Sequence, residues 1–268
     1  MDAFHFSRGS SPLLLSIPHC GTHIPPELAA RMTPAALRVP DTDWHLPQLY
    51  DFAGELGASI LAATHSRYVI DLNRPEDDAN LYPGQDTTGL IPRDTFAKEA
   101  IYTSGKEPDE AEISARKIHY WQPYHAQLAA ELARIKAQHG YALLWDAHSI
   151  ASQVPRFFPG RLTDLNLGTA GGSACGAGLG EALLAVAQQK ERYSVVLNGR
   201  FKGGHITRRY GDPAAQVHAV QLELSWAAYM NETFPYDYRT DLAEQVRPLL
   251  GHLLDTMLSW AKKPSRQT

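Results

Sequence analysis

The chain contains the stretch Tyr141-Ala142-Leu143-Leu144-Trp145-Asp146-Ala147-His148-Ser149, in which an apolar run leads directly into polar residues. A second apolar run, Leu13–Ile17, leads in the same way into Pro18-His19-Cys20-Gly21. Such runs are typical of central parallel strands covered on both faces, and ligands bind just beyond the carboxyl ends of these strands. We therefore expect His19 and His148 to lie at the same edge of one sheet.

Short apolar runs alternate with helix-period segments along the chain, which predicts an α/β fold with a largely parallel sheet. Strands are expected at residues 13–17, 59–63, 68–72, 141–145, 194–197 and 217–224. Helices are expected at residues 46–56, 113–135, 180–189 and 246–257, and Pro123 should kink or break the second of them. Three long stretches remain unassigned, at residues 73–108, 149–172 and 198–213.

Composition limits the classes of function. The 268 residues are 44% hydrophobic and 20% charged, a globular balance, and no linker interrupts them, so we expect a single catalytic domain spanning 1–268. The net charge of −4 argues against nucleic-acid or anionic-membrane partners. No apolar run is long enough for a signal peptide or a spanning helix, so we expect a cytoplasmic protein. Two cysteines, Cys20 and Cys175, cannot build a disulfide framework.

The two strand-end histidines predict a metal site. Two imidazoles and one carboxylate form an open catalytic zinc site, which leaves one coordination position for water. Asp43 is our preferred carboxylate because it lies at the head of a predicted helix, although a helix N-cap is its competing role. Asp41 and Glu27 remain alternatives, and Asp146 is a candidate for orienting a ligating imidazole.

The last predicted strand contributes a candidate base. Alternation along residues 217–224 places Leu222 and Leu224 on one face and Gln221 and Glu223 on the other. Glu223 is either an ordinary solvated carboxylate or, beside a metal, the group that moves a proton from water to a leaving amine.

Arginines are concentrated in the three unassigned stretches. An arginine fork binds carboxylates in a bidentate way, so this distribution indicates a small anionic ligand, while the alternative is that each arginine only solvates its loop. The arginines concerned are Arg74, Arg93, Arg156, Arg161, Arg200, Arg208 and Arg209.

Eight motifs in a fixed order resemble the N-formylglutamate amidohydrolase family of bacterial histidine degradation. They are SIPHCG (16–21), DTDWH (41–45), SRYVIDLNRP (66–75), YPGQ (82–85), WQPYH (121–125), LWDAHS (144–149), NGRFKGG (198–204) and QLEL (221–224). The family is in turn similar to zinc carboxypeptidases and acylamino-acid deacylases. The resemblance implies a single-domain three-layer α/β sandwich around a mixed, mostly parallel sheet. Those relatives have a His-x-x-Glu ligand pair, whereas Thr22 follows His19 at that spacing here.

The resemblance also implies an activity, the hydrolysis of N-formyl-L-glutamate to formate and L-glutamate. It implies Zn²⁺, or Mn²⁺ or Fe²⁺ in its place, held by His19, Asp43 and His148. Glu223 would deprotonate the attacking metal-bound water, and Arg67 would stabilise the oxyanion. The expected partner is a small dicarboxylic N-acyl amino acid, with Asn73 and Arg74 on the α-carboxylate and Arg161, Arg208 or Arg209 on the side-chain carboxylate.

Other classes of function remain open. The same zinc chemistry could serve a deacylase of another N-acyl amino acid or a small carboxypeptidase. A metal-dependent binder of acidic small molecules would keep the histidines and arginines but has no use for Glu223. A Cys20 nucleophile is disfavoured because adjacent side chains of an extended segment point apart. A serine hydrolase is disfavoured because the chain lacks a Gly-x-Ser-x-Gly elbow. The sequence predicts no particular oligomeric state.

Overall fold

One mixed sheet organises the protein in a computed structural model that describes residues 1–81 and 84–262. Within that part of the chain the strand order is β1-β3-β2-β4-β7-β5-β6. β1 is antiparallel to β3 and β5 is antiparallel to β7, while the other neighbouring pairs are parallel. The predicted α/β class with a mixed, mostly parallel sheet is confirmed. The strands are β1 (Phe4–Ser7), β2 (Leu13–Ile17), β3 (Ser59–Ala63), β4 (Ala142–Ile150), β5 (Leu165–Gly168), β6 (Val195–Leu197) and β7 (Val217–Ser225).

Helices cover both faces of this sheet and complete three layers. On one face, apolar residues of α2, α5 and α7 pack against the sheet around Trp145 and Leu222. On the other face, Leu128 and Ile135 of α4 pack against Leu14 and Leu144. The helices are α1 (Pro26–Ala29), α2 (Leu46–Leu49), α3 (Glu110–Arg116), α4 (Gln122–His139), α5 (Leu179–Gln188), α6 (His205–Tyr210) and α7 (Thr240–Ala261). None of the described helices is long and apolar enough to cross a membrane.

The central strand β4 is longer than predicted, and this changes where the site lies. The sequence predicts a strand that stops at Trp145, but the strand continues through His148 because each of its residues is paired with β7. All nine of its residues are buried, including Asp146 and His148. Both polar residues therefore project from within the strand rather than from a loop after it.

The prediction of a strand at residues 68–72 is wrong. These residues form turns instead, with Val69 N donating to Ser66 O and Asp71 N to Leu90 O. The apolar side chains that suggested a strand are nevertheless buried: Tyr68 and Val69 belong to a small core of their own, and Ile70 and Leu72 belong to the core between the sheet and α4. The short edge strand β1 and the strand β5 were not predicted, and β5 lies inside the unassigned stretch 149–172.

The predicted helices differ from the structure mainly at their ends and irregular turns. The helix expected at residues 46–56 is divided into α2 and a 3₁₀ turn, Asp51–Gly54. Pro123 does not break the helical run; a π-helical segment, Lys117–Trp121, precedes it, and the proline occupies the first turn of α4, where its missing N–H is not needed. The helices predicted at 180–189 and 246–257 are confirmed as α5 and α7.

The unassigned stretches surround the carboxyl ends of the parallel strands. Residues 73–81 and 84–108 contain no α-helix or strand, and the motif YPGQ falls partly outside the described residues because Tyr82 and Pro83 are not among them. The stretch 198–213 contains α6. These loops supply most of the walls of the site described below.

We predict that Gly21→Ala destabilises the protein, because this glycine lets the segment after β2 approach the end of β3. An added Cβ would lie 2.3 Å from His65 O and 2.5 Å from Thr64 C, both backbone atoms. The free energy of unfolding should fall by at least the roughly 1–3 kcal/mol typical of overpacking, measured by urea denaturation. Gly54→Ala is the matched control, since its Cβ would meet nothing within 4 Å. Equal stability of the two variants would contradict the prediction.

Candidate active site

A cavity of about 620 Å³, including its open mouth, lies at the carboxyl ends of β2, β4 and β7. The sheet floor supplies Gln221, Glu223 and His148, and the loops supply the walls. The lining residues are His19, Asp43, Arg67, Asn73, Arg74, Asp86, Thr87, Phe96, His148, Ser149, Ile150, Phe157, Arg200, Phe201, Gly204, Gln221 and Glu223.

Three lining residues form a group that could hold a metal ion. One ligand atom from each of His19, Asp43 and His148 lies within 4.8 Å of the other two, and all three residues are buried. Asp43 Oδ2 is 2.9 Å from His148 Nδ1 and 3.8 Å from His19 Nδ1. In a tetrahedral site with metal bonds of about 2.0–2.1 Å, two ligand atoms lie roughly 3.3 Å apart, and the two observed distances fall on either side of that value. The residues therefore fit an ion bound through the Nδ1 atom of both histidines.

The Nε2 atoms of both histidines are held by other polar groups. His19 Nε2 lies 2.7 Å from Asp71 Oδ1, and His148 Nε2 lies 2.9 Å from Asn73 Nδ2 and 3.2 Å from Asp146 Oδ1. Asp146 Oδ1 is buried and has no well-aligned donor within the described part of the chain. His148 Nε2 can either accept a bond from Asn73 Nδ2 or donate its proton to Asp146 Oδ1, and only the second arrangement leaves the Nδ1 lone pair for an ion, as metal-binding histidines need.

The two histidines have opposite pKa shifts. Burial and the nearby charge of Arg67 lower the pKa of His19, which favours the neutral form that binds metals. Burial alone would lower the pKa of His148, but the Asp146 charge and hydrogen bonds to Asp146 and Asp43 raise it well above its usual value. An ion that binds His148 must therefore displace a proton.

The structure distinguishes between the candidate carboxylates. Asp43 does not cap α2, whose N-cap is His45, and its backbone N–H donates to His19 O, which draws the two residues together. Asp41 accepts bonds from Tyr68 Oη and Phe96 N and is not among the residues that line the cavity. Glu27 is exposed on α1. Of the three, only Asp43 lies beside the two histidines.

Asp71 links His19 to Arg67, the predicted oxyanion-stabilising arginine, and is the main site residue that the sequence patterns did not predict. It is fully buried, and its second oxygen accepts a bond from Arg67 Nη2 at 2.6 Å. Arg67 and His19 hold the pKa of this carboxylic acid well below its usual range despite burial, so it is ionised. The signal was present in the motif SRYVIDLNRP, in which an acid directly follows an apolar run, as it does in LWDAHS.

Arg67 lies at the cavity wall with part of its donor capacity unused. The side chain is 7% exposed, and its Nε is buried with no acceptor in residues 1–81 or 84–262. Leaving such a donor unsatisfied is costly, so a polar oxygen of a ligand is the partner that the geometry suggests. The Arg67 guanidinium also lies over the Phe96 ring, 4.9 Å from its centroid.

Glu223 lies directly beside His148, because the two residues are partners in the parallel pairing of β4 with β7. It is buried rather than solvated, and it lines the cavity together with Gln221. Leu222 and Leu224 belong to the core on the opposite face, as alternation predicts. Burial raises the pKa of Glu223. A carboxyl group with a raised pKa suits proton transfer near neutral pH.

Asn73 and Arg74 both line the cavity, with different surroundings. Asn73 Oδ1 accepts a bond from Ile206 N, which orients its amide so that Nδ2 lies 2.9 Å from His148 Nε2. Asn73 is therefore engaged with the metal-binding group. Arg74 donates through Nε to Thr88 O and through Nη2 to Thr88 Oγ1, so its guanidinium is fixed against the loop wall.

Three arginines that we expected at the substrate lie elsewhere. Arg161, Arg208 and Arg209 are all exposed, and none lines the cavity. On α6 the buried residues are Ile206 and Thr207, so the helix turns the next two side chains outward. Arg200, which the sequence analysis noted only as one of the loop arginines, does line the cavity.

The alternative nucleophiles have little support from the geometry. Cys20 Sγ donates to two backbone carbonyls, those of Ile17 and Ala63, and burial raises the thiol pKa to about 12. A thiol with that pKa is not a thiolate near neutral pH. Ser149 Oγ accepts a hydrogen bond from Tyr229, and His148 Nε2, the atom that would take the proton of a triad serine, lies against Asn73 Nδ2 and Asp146 Oδ1 instead.

Comparison with known proteins connects this site to a family. The sequence profile of the N-formylglutamate amidohydrolases matches residues 11–230. The N-formylglutamate deformylase of Pseudomonas aeruginosa is 53% identical to this chain over 98% of both sequences. That of Pseudomonas putida is 51% identical over 95% of both sequences. The crystal structure of N-formylglutamate amidohydrolase from Ralstonia eutropha superposes with a TM-score of 0.81 at 26% identity and covers 98% of both chains.

A more distant structure shows the fold alone. The Agrobacterium tumefaciens gene product Atu2144 has a TM-score of 0.76 at 19% identity and covers 98% of this chain. The two close relatives and the profile match, which spans the cavity residues from His19 to Glu223, place the chain in the N-formylglutamate amidohydrolase family.

Proposed function

We propose that this protein hydrolyses N-formyl-L-glutamate to formate and L-glutamate with a divalent metal ion, Zn²⁺ in the first place and Mn²⁺ or Fe²⁺ as substitutes. The observation that carries the proposal is a buried His-Asp-His group with a buried glutamate on the neighbouring strand. The names of the two close relatives supply the substrate. Two histidines and one carboxylate are the protein ligands of open hydrolytic zinc sites.

The metal ion and Glu223 would act together on the attacking water. A divalent ion held by His19, Asp43 and His148 supplies a Lewis acid and lowers the pKa of water toward 7. Glu223, next to His148, accepts the proton of the attacking water and then delivers it to the departing amine nitrogen. The raised pKa of Glu223 favours the first of these transfers, because a more basic carboxylate accepts a proton more readily.

Arg67 would stabilise the charge that develops on the formyl oxygen. Its buried Nε has no acceptor within the described residues, and Asp71 and the Phe96 ring fix the guanidinium in place. A fixed donor of this kind needs no reorganisation during the reaction, and such a contact is commonly worth about 3–4 kcal/mol in the transition state.

Arg74 is our candidate for the α-carboxylate, since it lines the cavity next to Asn73 and Thr88 fixes its orientation. The contacts of Asn73 with His148 and Ile206 support a role in holding the metal ligand beside any contact with substrate. A deacylase with a bulkier acyl group would use the same residues, and substrate assays separate it from a deformylase. Cytoplasmic location, the place in histidine degradation and the single catalytic domain 1–268 stay predictions.

We predict that purified protein releases formate from N-formyl-L-glutamate, that a chelator abolishes the release, and that Glu223→Gln lowers turnover about 10²- to 10⁴-fold. Glutamine keeps the size and hydrogen bonding of the side chain but cannot accept the proton. Turnover is followed by a coupled formate assay, and metal content by elemental analysis of the same samples.

Gln221→Asn serves as the control for Glu223→Gln, because Gln221 lines the same strand face but its Oε1 already accepts a bond from Gly204 N. It should retain far more turnover than Glu223→Gln. Near-normal turnover of Glu223→Gln would contradict the role as base, and loss of its metal would make Glu223 a ligand. Absence of formate release by the wild type would contradict the proposed function itself.

We further predict that Asp71→Asn weakens metal binding about 10- to 100-fold, the usual effect of removing a carboxylate that orients a ligating histidine. Zinc affinity is measured by competition with a chromophoric chelator. Asp51→Asn is the control, since Asp51 also pairs with an arginine, Arg247, but is exposed and outside the cavity. Unchanged zinc affinity in Asp71→Asn would show that His19 does not depend on this bond.

A further inference from the structure

Arg200 and the other two arginines that line the cavity come from opposite ends of the strand order. Arg200 follows β6, which is one edge of the sheet, whereas Arg67 and Arg74 follow β3, next to the other edge. β6 is three strands away from β4, which at about 4.8 Å per strand corresponds to roughly 14 Å. The cavity therefore has arginines from two separate parts of the fold, with the metal-binding group on the sheet between those parts.

Two phenylalanine rings line the wall between Arg67 and Arg200. The Arg67 guanidinium lies 4.9 Å from the Phe96 centroid, and Phe96 meets Phe157 edge-to-face at 4.8 Å. The Arg200 guanidinium lies 5.9 Å from the Phe157 centroid. All four residues line the cavity. A ligand that contacts both arginines must therefore pass two apolar ring surfaces, which suits a short chain of methylene groups.

The Arg200 guanidinium is held in a defined orientation. Its Nε donates to Phe157 O at 2.6 Å, and the Phe201 ring lies 5.4 Å from it on the same chain segment. The Phe157 segment is itself fixed, because Arg156 donates to Asp86 and Asp94. The guanidinium is therefore held at the cavity wall, and an arginine fork in such a place is the group that binds a carboxylate in a bidentate way.

The one acidic residue on this side of the cavity is already neutralised. Asp86 lines the cavity but pairs with Arg156 at 2.9 Å and with Lys98 at 2.7 Å. These partners lower the pKa of Asp86 and balance its charge, so it does not set up a net repulsion against an anionic ligand group.

From this arrangement we infer that Arg200 is the specificity residue that recognises the distal carboxylate of the substrate. The inference rests on the proposed function: the formyl amide lies at the metal-binding group, the two side-chain methylenes lie along Phe96 and Phe157, and the γ-carboxylate meets the Arg200 fork. Arg200 takes the place of Arg161, Arg208 and Arg209, which lie outside the cavity. The site then selects glutamate over its neutral analogue glutamine.

The test compares Arg200→Met with wild type on N-formyl-L-glutamate and N-formyl-L-glutamine. Methionine keeps an apolar stem against Phe157 and removes the charge. We expect kcat/KM for N-formyl-L-glutamate to fall about 10- to 100-fold, the range for a charged hydrogen bond, while that for N-formyl-L-glutamine changes little. Arg200→Lys should lie between the two. Calorimetry with L-glutamate and L-glutamine on the same proteins gives a readout that does not need turnover.

Arg192→Met is the matched control, because Arg192 is an exposed arginine that also lies over an aromatic ring, that of Tyr193, but is outside the cavity. It should keep the wild-type preference. The inference would be overturned if Arg200→Met kept the wild-type ratio of kcat/KM for N-formyl-L-glutamate over N-formyl-L-glutamine, or if kcat/KM fell equally for both substrates. Neither result would contradict deformylation. If wild type releases no formate but binds L-glutamate through Arg200, the proposed function fails and the inference stands. If it neither turns over nor binds L-glutamate, both fail.

Discussion

The parallel pairing of β4 with β7 determines where the polar groups of this protein lie. In that register Asp146 is opposite Gln221 and His148 is opposite Glu223, while Trp145 and Leu222 point into the core on the other face. A slip of one residue would turn every side chain of a strand to the other face, so that His148 would enter the apolar core. The hydrophobic packing that fixes the register therefore also fixes the distance between His148 and Glu223. β2 adds His19 through its own parallel pairing with β4.

A second constraint is the cost of burying charge. His19, Asp43, Asp71, Arg67, His148 and Glu223 are all less than a tenth exposed, and an isolated charge at that depth is strongly unfavourable. The structure compensates by sharing partners: Asp71 bonds both His19 and Arg67, and Asp43 Oδ2 faces both histidines. Two of the buried polar atoms that stay unsatisfied within the described residues, Arg67 Nε and Asp146 Oδ1, belong to the side chains that we assign to the substrate oxygen and to the orientation of His148. Asn73 is shared in the same way, because it contacts His148 and also lines the cavity.

Sequence patterns predicted the parts of the site that depend on strands and missed those that depend on loop paths. His19, His148 and Glu223 follow from apolar runs and alternation, which are local and periodic properties. Asp71 also follows an apolar run, but its contact with His19 joins residues 52 positions apart along a path made of turns, which no periodicity describes. Arg208 and Arg209 could not be separated from the arginines that line the cavity, because their exposure depends on which side chains the short α6 buries. The apolar residues at 68–72 predicted a strand wrongly, since apolar side chains that are buried from a turn leave the same sequence pattern as those buried from a strand.

The claim on which this account depends is that His19, Asp43 and His148 hold one divalent ion through the Nδ1 atoms of both imidazoles. Anomalous diffraction at the zinc edge from crystals grown with Zn²⁺ tests it directly. The account predicts one peak about 2.0–2.2 Å from His19 Nδ1, His148 Nδ1 and an Asp43 oxygen, with both Nε2 atoms still facing Asp71, Asn73 or Asp146. A peak that excludes either histidine, coordination through Nε2, or the absence of a peak here under conditions in which the protein is active would contradict it.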